Sequence, residues 1–186
     1  MTNIFLVSDT HFGHSKILTF MRSDNITPLR HFSTVEEMDD IMVENWNSVV
    51  KPNDTIYHLG DVVMNRRHLI TLQRLNGSKR LILGNHDIFE HSDYTPYFKR
   101  LHGSYKLDTL ILSHIPLHVD SVPHWAVANV HGHIHSADVD DHRYYNVSVE
   151  NINYTPISLE DLKVQIRKKQ TKYGVDRSIK DTTLVT

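Results

Sequence analysis

The feature that most restricts the fold is a series of short apolar segments, each followed within two residues by histidine, aspartate or asparagine. Residues 4–8, 55–59 and 79–83 are of this kind, and similar segments recur at 109–113 and 126–130. Runs of four or five apolar, partly β-branched residues are typical of buried strands. Because helical segments separate the first three, the pattern predicts an α/β fold.

Helices are predicted between and after these strands. Ser33, with Glu36 three residues later, matches a capping box, and the apolar residues that follow repeat at helical spacing up to the "KPND" segment. Shorter helices are expected at residues 17–21 and 66–75, and Ser158 is expected to cap a last helix.

The length of the chain favours one domain. Residues 144–149 are expected to complete the sheet, and 186 residues are enough for one sizeable core but few for two. We therefore expect a single domain over residues 1–170, followed by a polar C-terminal tail at 171–186.

Histidine is unusually common, with 15 in 186 residues. Three of them, His131, His133 and His135, alternate with Gly132 and Ile134 directly after a predicted strand. In an extended segment alternate residues face the same way, so these rings can form a row of nitrogen donors. Histidine is the commonest metal ligand and also an acid–base group near neutral pH. The internal position of the cluster argues against an expression tag.

Five predicted strands end in side chains that can bind a metal ion. In chain order these are Asp9 and His11, Asp61, Asn85 with His86, His114, and His133 with His135. Each alone has a simpler explanation as a turn, cap or core residue. Five such endings in succession do not, and open α/β sheets bind ligands outside the carboxyl ends of their strands. The pattern therefore predicts one metal site built from all five segments.

The ligand chemistry narrows the metal. These side chains supply oxygen and imidazole nitrogen without sulfur, since the chain has no cysteine. Such a set suits Mn²⁺, Fe, Co, Ni or Zn better than Ca²⁺ or Mg²⁺. A carboxylate such as Asp61, between two ligand groups, can bridge two ions about 3.5–4 Å apart. We expect two divalent transition-metal ions, with Mn²⁺ favoured.

Charge and hydropathy exclude several classes of protein. The formal net charge is −2, so there is no strong basic field for binding duplex nucleic acid, although nucleotides remain possible substrates. The N-terminal apolar run is too short for a signal peptide, and no apolar stretch reaches membrane-spanning length. Together with the absence of cysteine, these features lead us to expect a cytoplasmic location without a membrane partner.

The order of the motifs resembles the calcineurin-like metallophosphoesterase superfamily. The superfamily pattern is D-x-H, G-D, G-N-H-[DE], H and G-H-x-H, and this chain carries all five blocks in that order within residues 9–135. It is most similar to the small single-domain phosphodiesterases of microbes and phages. The resemblance implies a four-layer α-β-β-α sandwich, in which two mixed β-sheets are flanked by helices.

The resemblance also implies a role for each site residue. One metal would be held by Asp9, His11, Asp61 and His135, and the other by Asp61, Asn85, His114 and His133. His86 would protonate the leaving oxygen, and Asp87 would orient His86 and raise its basicity. His14, the loop at 116–125 and His131 are weaker candidates for substrate contact, and a supporting or structural role is the main expectation for His131.

The implied activity is hydrolysis of a phosphoester by a bridging hydroxide, with a small nucleotide-type diester as the expected substrate. Two alternatives stay open: a phosphomonoesterase or nucleotidase using the same site, and a catalytically silent, metal-bound interaction module. The chain departs from the protein serine/threonine phosphatases at Met64 and Asp87 and is too short for that branch. The substrate, the native metal and the oligomeric state are not determined by the sequence.

Overall fold

The computed structural model describes residues 2–175. Within this range the chain forms two mixed β-sheets with flanking helices, as the resemblance implied. The strands are β1 (Ile4–Val7), β2 (Thr55–His58), β3 (Ser78–Ile82), β4 (Arg100–His102), β5 (Ser104–Leu107), β6 (Leu110–Ser113), β7 (Ala128–His131), β8 (Tyr144–Asn146) and β9 (Ile157–Ser158). The α-helices are α1 (Val35–Val49), α2 (His91–Tyr94) and α3 (Leu159–Lys172). Short 3₁₀ helices span Ser15–Thr19, Arg66–Arg74, Val119–Ser121 and Val149–Asn151.

Each of the two sheets consists mainly of parallel strands. The first has the strand order β4-β3-β2-β1-β9, in which β1 to β4 are parallel and β9 is antiparallel to β1. The second has the order β5-β6-β7-β8, in which β6, β7 and β8 are parallel and β5 is antiparallel. Parallel strands of one sheet end at the same edge. The loops after β1, β2 and β3 therefore lie together at one edge of the first sheet, and the loops after β6 and β7 lie together at one edge of the second.

Two apolar clusters hold the sheets in place, because successive strand residues face opposite sides. Phe5 and Val7 of β1 pack with Met38 and Trp46 of α1 in the first cluster. Leu6 of β1 lies in the second cluster, which joins side chains of both sheets to Leu162 and Ile166 of α3. In residues 2–175 no helix is both long and apolar enough to span a membrane.

Some local predictions were wrong in detail. The cap of α1 is Thr34, whose hydroxyl accepts the Glu37 N–H, and not Ser33. The segments predicted as helices near residues 17–21 and 66–75 are 3₁₀ helices. Ser158 caps α3 as predicted, but α3 continues to Lys172, past the expected start of the tail. The rest of the predicted tail, from residue 176, lies outside the described residues.

Candidate metal centre

All seven candidate ligands lie just beyond the C-terminal end of a strand. Asp9 and His11 follow β1, Asp61 follows β2, Asn85 follows β3, His114 follows β6, and His133 and His135 follow β7. The structure gathers the acidic and histidine side chains into two groups, Asp9–His11–His135 and Asp61–His114–His133, each with ligand atoms within 4.8 Å of one another. Each group can hold a metal ion.

The first group contains buried polar atoms that need a cation. Asp9 Oδ1 and His11 Nε2 have no hydrogen-bond partner among the described residues, and they lie 3.8 Å apart. The other Asp9 oxygen, Oδ2, accepts the Ser148 hydroxyl and the His133 N–H, both at 2.9 Å. A buried polar atom without a partner destabilises the fold, and a metal ion between these two atoms would satisfy both.

The second group brings three ligand atoms to one point. Asn85 Oδ1 lies 2.9 Å from both His114 Nε2 and His133 Nδ1, and these two nitrogens are 3.2 Å apart. His114 Nδ1 lies 2.7 Å from the Leu59 carbonyl oxygen, which favours a proton on Nδ1. In the neutral ring Nε2 then carries a lone pair, as metal coordination requires.

Asp61 connects the two groups. Its Oδ2 atom lies 3.5 Å from His11 Nε2 and 3.5 Å from His114 Nε2. One carboxylate oxygen is therefore equally close to a ligand nitrogen of each group. This is the position that a carboxylate shared by two ions occupies.

The buried charges also fit cation binding. Burial raises the pKa of Asp9 and, together with the Arg30 charge, holds the pKa of His11 well below its usual value. Burial also raises the pKa of Asp61, but hydrogen bonding and charge from His114 outweigh burial and lower this pKa to about 2. A divalent cation would stabilise the Asp9 carboxylate and would bind the neutral His11 ring.

The backbone of the site is strained. Five of the seven candidate ligands have positive φ angles, between 48° and 70°. They are Asp9, His11, Asp61, His133 and His135. Such conformations cost about 1–3 kcal/mol each in non-glycine residues and cluster at functional sites. The positive φ angles turn alternate side chains of tight loops toward one centre.

Two glycines permit the close approach of these loops. A Cβ atom on Gly132 would lie 2.0 Å from Ser8 Oγ and 2.2 Å from Asp9 Oδ2. A Cβ atom on Gly84 would lie 2.2 Å from Asp61 Oδ1. The G-H-x-H and G-N-H-D blocks therefore need glycine because a side chain there would displace a candidate ligand.

His86 lies at the rim of the centre. Its side chain is 45% exposed, and its Nε2 atom is 4.0 Å from Asp61 Oδ2. Its ring centroid is 5.5 Å from that of His11. The ring can therefore contact both solvent and a molecule bound over Asp61.

The expected contact between Asp87 and His86 is wrong. Asp87 Oδ2 accepts the N–H groups of Asp61 and Gly84, both at 2.8 Å, and Oδ1 accepts the Val62 N–H at 3.0 Å. Among the described residues these backbone groups are its hydrogen-bond donors, and the His86 ring is not one of them. The tight turn directs the Asp87 carboxylate inward, where it fixes the backbone at Asp61.

The two weaker substrate candidates differ. His131 is fully buried and its Nδ1 atom lies 2.9 Å from the Gly132 carbonyl oxygen, so the expected substrate contact is wrong and the structural role fits. His14 lies beside the centre, with its ring centroid 5.6 Å from that of His11 and 5.8 Å from that of the exposed Phe20. Substrate contact by His14 stays a prediction.

Two residues near the centre were missed by sequence reasoning. Glu150 Oε1 lies 3.1 Å from His135 Nδ1, and the buried Arg30 donates its Nε–H to the same oxygen. Glu150 follows β8 and so obeys the strand-end pattern that located the other ligands. Arg30, in an irregular segment, carries no comparable signal.

Two mixed sheets thus carry, at their strand ends, two histidine–carboxylate groups that can hold metal ions. The chain belongs to the calcineurin-like phosphoesterase family, which it matches over residues 2–178. This family membership makes the protein a phosphoesterase-type hydrolase and agrees with the order of the motif blocks.

Three relatives illustrate the similarity. The chain is 35% identical over 187 residues to the uncharacterised protein MJ1445 of Methanocaldococcus jannaschii, covering 91% of this chain and 93% of that one. It is 30% identical over 171 residues to the Gene 66 protein of Mycobacterium phage L5, covering 73% and 79%. The crystal structure of a protein of unknown function, AQ665 of Aquifex aeolicus, matches with a TM-score of 0.68 and 25% identity, covering 89% of this chain and 100% of that one.

Proposed function

We propose that the protein is a dinuclear-metal-dependent phosphoesterase that favours small nucleotide-type diesters. The position of Asp61 carries the proposal, because one oxygen lies 3.5 Å from a ligand nitrogen of each group. Asp9, His11 and His135 would complete one site, and Asn85, His114 and His133 the other. A cytoplasmic location belongs to the same proposal, since a chain without cysteine needs no oxidising compartment.

The ligand set favours a transition metal. Imidazole nitrogens predominate in both groups and the carboxylates are few, which suits Mn²⁺, Fe, Co, Ni or Zn. We propose Mn²⁺ as the first metal to test. When bound, two such ions activate water as a nucleophile and neutralise charge on the phosphoryl oxygens.

The residues of the chain perform the remaining steps. Asp61 keeps the two ligand groups in register, and the buried Asp87 holds the Asp61 backbone in place. His86, exposed at the rim and 4.0 Å from Asp61 Oδ2, would donate a proton to the leaving oxygen. His14 lies on the same side, next to His11, where it can contact the substrate.

The proposal is tested by comparing two substrates in Mn²⁺: bis-p-nitrophenyl phosphate and the p-nitrophenyl monoester. We expect diester turnover that is abolished in Asp61→Ala and retained in Asp40→Asn, a matched control at an exposed aspartate of α1. A preference for the monoester would replace the diesterase with a phosphatase. Two bound ions without turnover of either substrate would favour a silent interaction module.

A further inference from the structure

A buried ion pair lies behind the first ligand group. Arg30 and Glu150 both have fully buried side chains, and Arg30 Nε lies 2.8 Å from Glu150 Oε1. The two residues are 120 positions apart in the sequence. Burying two charges carries a large desolvation penalty, which can exceed the attraction between them. Fold stability alone is therefore a weak explanation for this pair.

Glu150 is joined to a candidate ligand. Its Oε1 atom, which accepts from Arg30, is also 3.1 Å from His135 Nδ1. A carboxylate at Nδ1 holds the ring proton there and turns the ring so that Nε2 carries a free lone pair. Nε2 is then the His135 nitrogen left for a metal ion that Asp9 and His11 would also hold.

Arg30 also holds the loop that carries the other two ligands. Its Nη1 donates to the Thr10 carbonyl oxygen at 2.9 Å and its Nη2 to the Asp9 carbonyl oxygen at 2.5 Å. Asp9 is one of the strained residues, with φ of 60°. One guanidinium thus fixes the Asp9 loop and, through Glu150, the ring of His135.

We propose that Arg30 and Glu150 are positioning residues that set the metal affinity of the Asp9–His11–His135 group. The inference rests on the proposed function only in that this group binds a metal. Arg30 has no lone pair to offer a metal ion, and we assign Glu150 to the His135 ring, which its Oε1 atom contacts at 3.1 Å. Removing a partner behind a ligating histidine typically weakens metal affinity about 10–100-fold.

The first experiment titrates metal-free protein with Mn²⁺ by calorimetry and counts bound ions by elemental analysis. We expect Glu150→Gln to weaken one of two binding steps about 10–100-fold and to leave the other unchanged. Glu44→Gln, at an exposed glutamate of α1, is the matched control and should equal the wild type. A folded Glu150→Gln protein with both wild-type constants would overturn the inference.

A second variant tests whether the effect passes through His135. If it does, adding Glu150→Gln to His135→Gln should weaken Mn²⁺ binding no further than His135→Gln alone. If the double variant loses affinity by the full factor of each single change, Glu150 acts elsewhere and the inference is wrong.

A third measurement needs no Glu150 variant to fold. Nitrogen-15 NMR of the Zn²⁺-loaded wild type reports which ring nitrogen of His135 carries the proton, with His135→Gln identifying the signal. We expect the proton on Nδ1, and a proton on Nε2 would overturn the inference. If the wild type binds no metal, both the proposed function and this inference are wrong. If the wild type is active with two metal ions and Glu150→Gln has the same metal affinities, only this inference is wrong.

Discussion

The Oδ1 atom of Asp61 accepts the backbone N–H of His86 at 2.9 Å. This bond joins the loop after β2 to the loop after β3, and it leaves Oδ2 of Asp61 free to face both ligand groups. The same contact fixes the backbone of His86 while its ring stays at the rim, 4.0 Å from Oδ2. The proposed bridging residue therefore positions the proposed proton donor.

Replacing His86 tests the proton-donor role. His86→Gln should lower kcat about 10²–10⁴-fold for diesters with poor leaving groups, because those need the proton most. Diesters of acidic phenols should lose much less, and the number of bound metal ions should not change. A series of aryl diesters of graded leaving-group pKa measures this, and an equal loss across the series would contradict the role.

Asp87 is expected to act on the backbone. Asp87→Asn replaces an acceptor with an NH₂ group facing the N–H groups that Asp87 now satisfies at Asp61, Val62 or Gly84. We expect a loss of about 1–3 kcal/mol in the free energy of unfolding, measured in urea. The pH profile of turnover should keep its shape. A profile displaced along the pH axis would instead indicate that Asp87 acts on the His86 ring.

Gly84 should not tolerate a side chain. A Cβ atom there would meet Asp61 Oδ1 at 2.2 Å and the Asp61 nitrogen at 2.6 Å, so Gly84→Ala should displace Asp61. We expect loss of bound metal and of activity in a protein that still folds, followed by elemental analysis and circular dichroism. Gly103→Ala is the matched control, since its Cβ would meet nothing within 4 Å. Full metal content in Gly84→Ala would show that the position of Asp61 is not critical for metal binding.

Asp39 should make stability depend on pH. Burial in α1 raises the pKa of this carboxyl from its ordinary 3.8 to about 7, against the opposing hydrogen bond from the Gly13 N–H. The unfolded chain releases the proton near the ordinary value, so the folded state binds more protons between about pH 4 and pH 7. The contribution of Asp39 to stability is therefore lost as pH rises through this window.

Asp39→Asn isolates this effect. The variant stays neutral, so its free energy of unfolding relative to the wild type should rise from about pH 4 to about pH 7 and then level off. Denaturant titrations at one-unit pH intervals measure the difference. A difference that stays constant with pH would contradict the raised pKa.

The grouping of the candidate ligands could be predicted because two simple rules act together. Apolar runs identified the strands, and parallel strands of one sheet end at one edge, so Asp9, Asp61 and Asn85, which follow strands of the first sheet, could be placed near one another without a structure. The role of Asp87 was mispredicted because adjacency to His86 says nothing of where a tight turn directs a carboxylate. Arg30 and Glu150 were missed because their contact spans 120 positions, and no periodicity records it.

Strand prediction failed where the apolar signal was weak. β4 and β5 carry exposed or half-buried polar residues, such as Arg100 and Lys106, so no apolar run marked them. The 3₁₀ form of Arg66–Arg74 was also missed, because i, i+3 spacing is shared by both helix types over so few turns.

The most direct test of the account is electron paramagnetic resonance of the Mn²⁺-loaded protein, with metal content measured on the same samples. The account predicts two Mn²⁺ ions per wild-type chain with the spectrum of an exchange-coupled pair. In Asp61→Ala it predicts loss of that coupling, of bound metal and of diester turnover. Two isolated Mn²⁺ signals in the wild type, or an Asp61→Ala protein that keeps the coupled pair and normal turnover, would contradict the bridging role of Asp61.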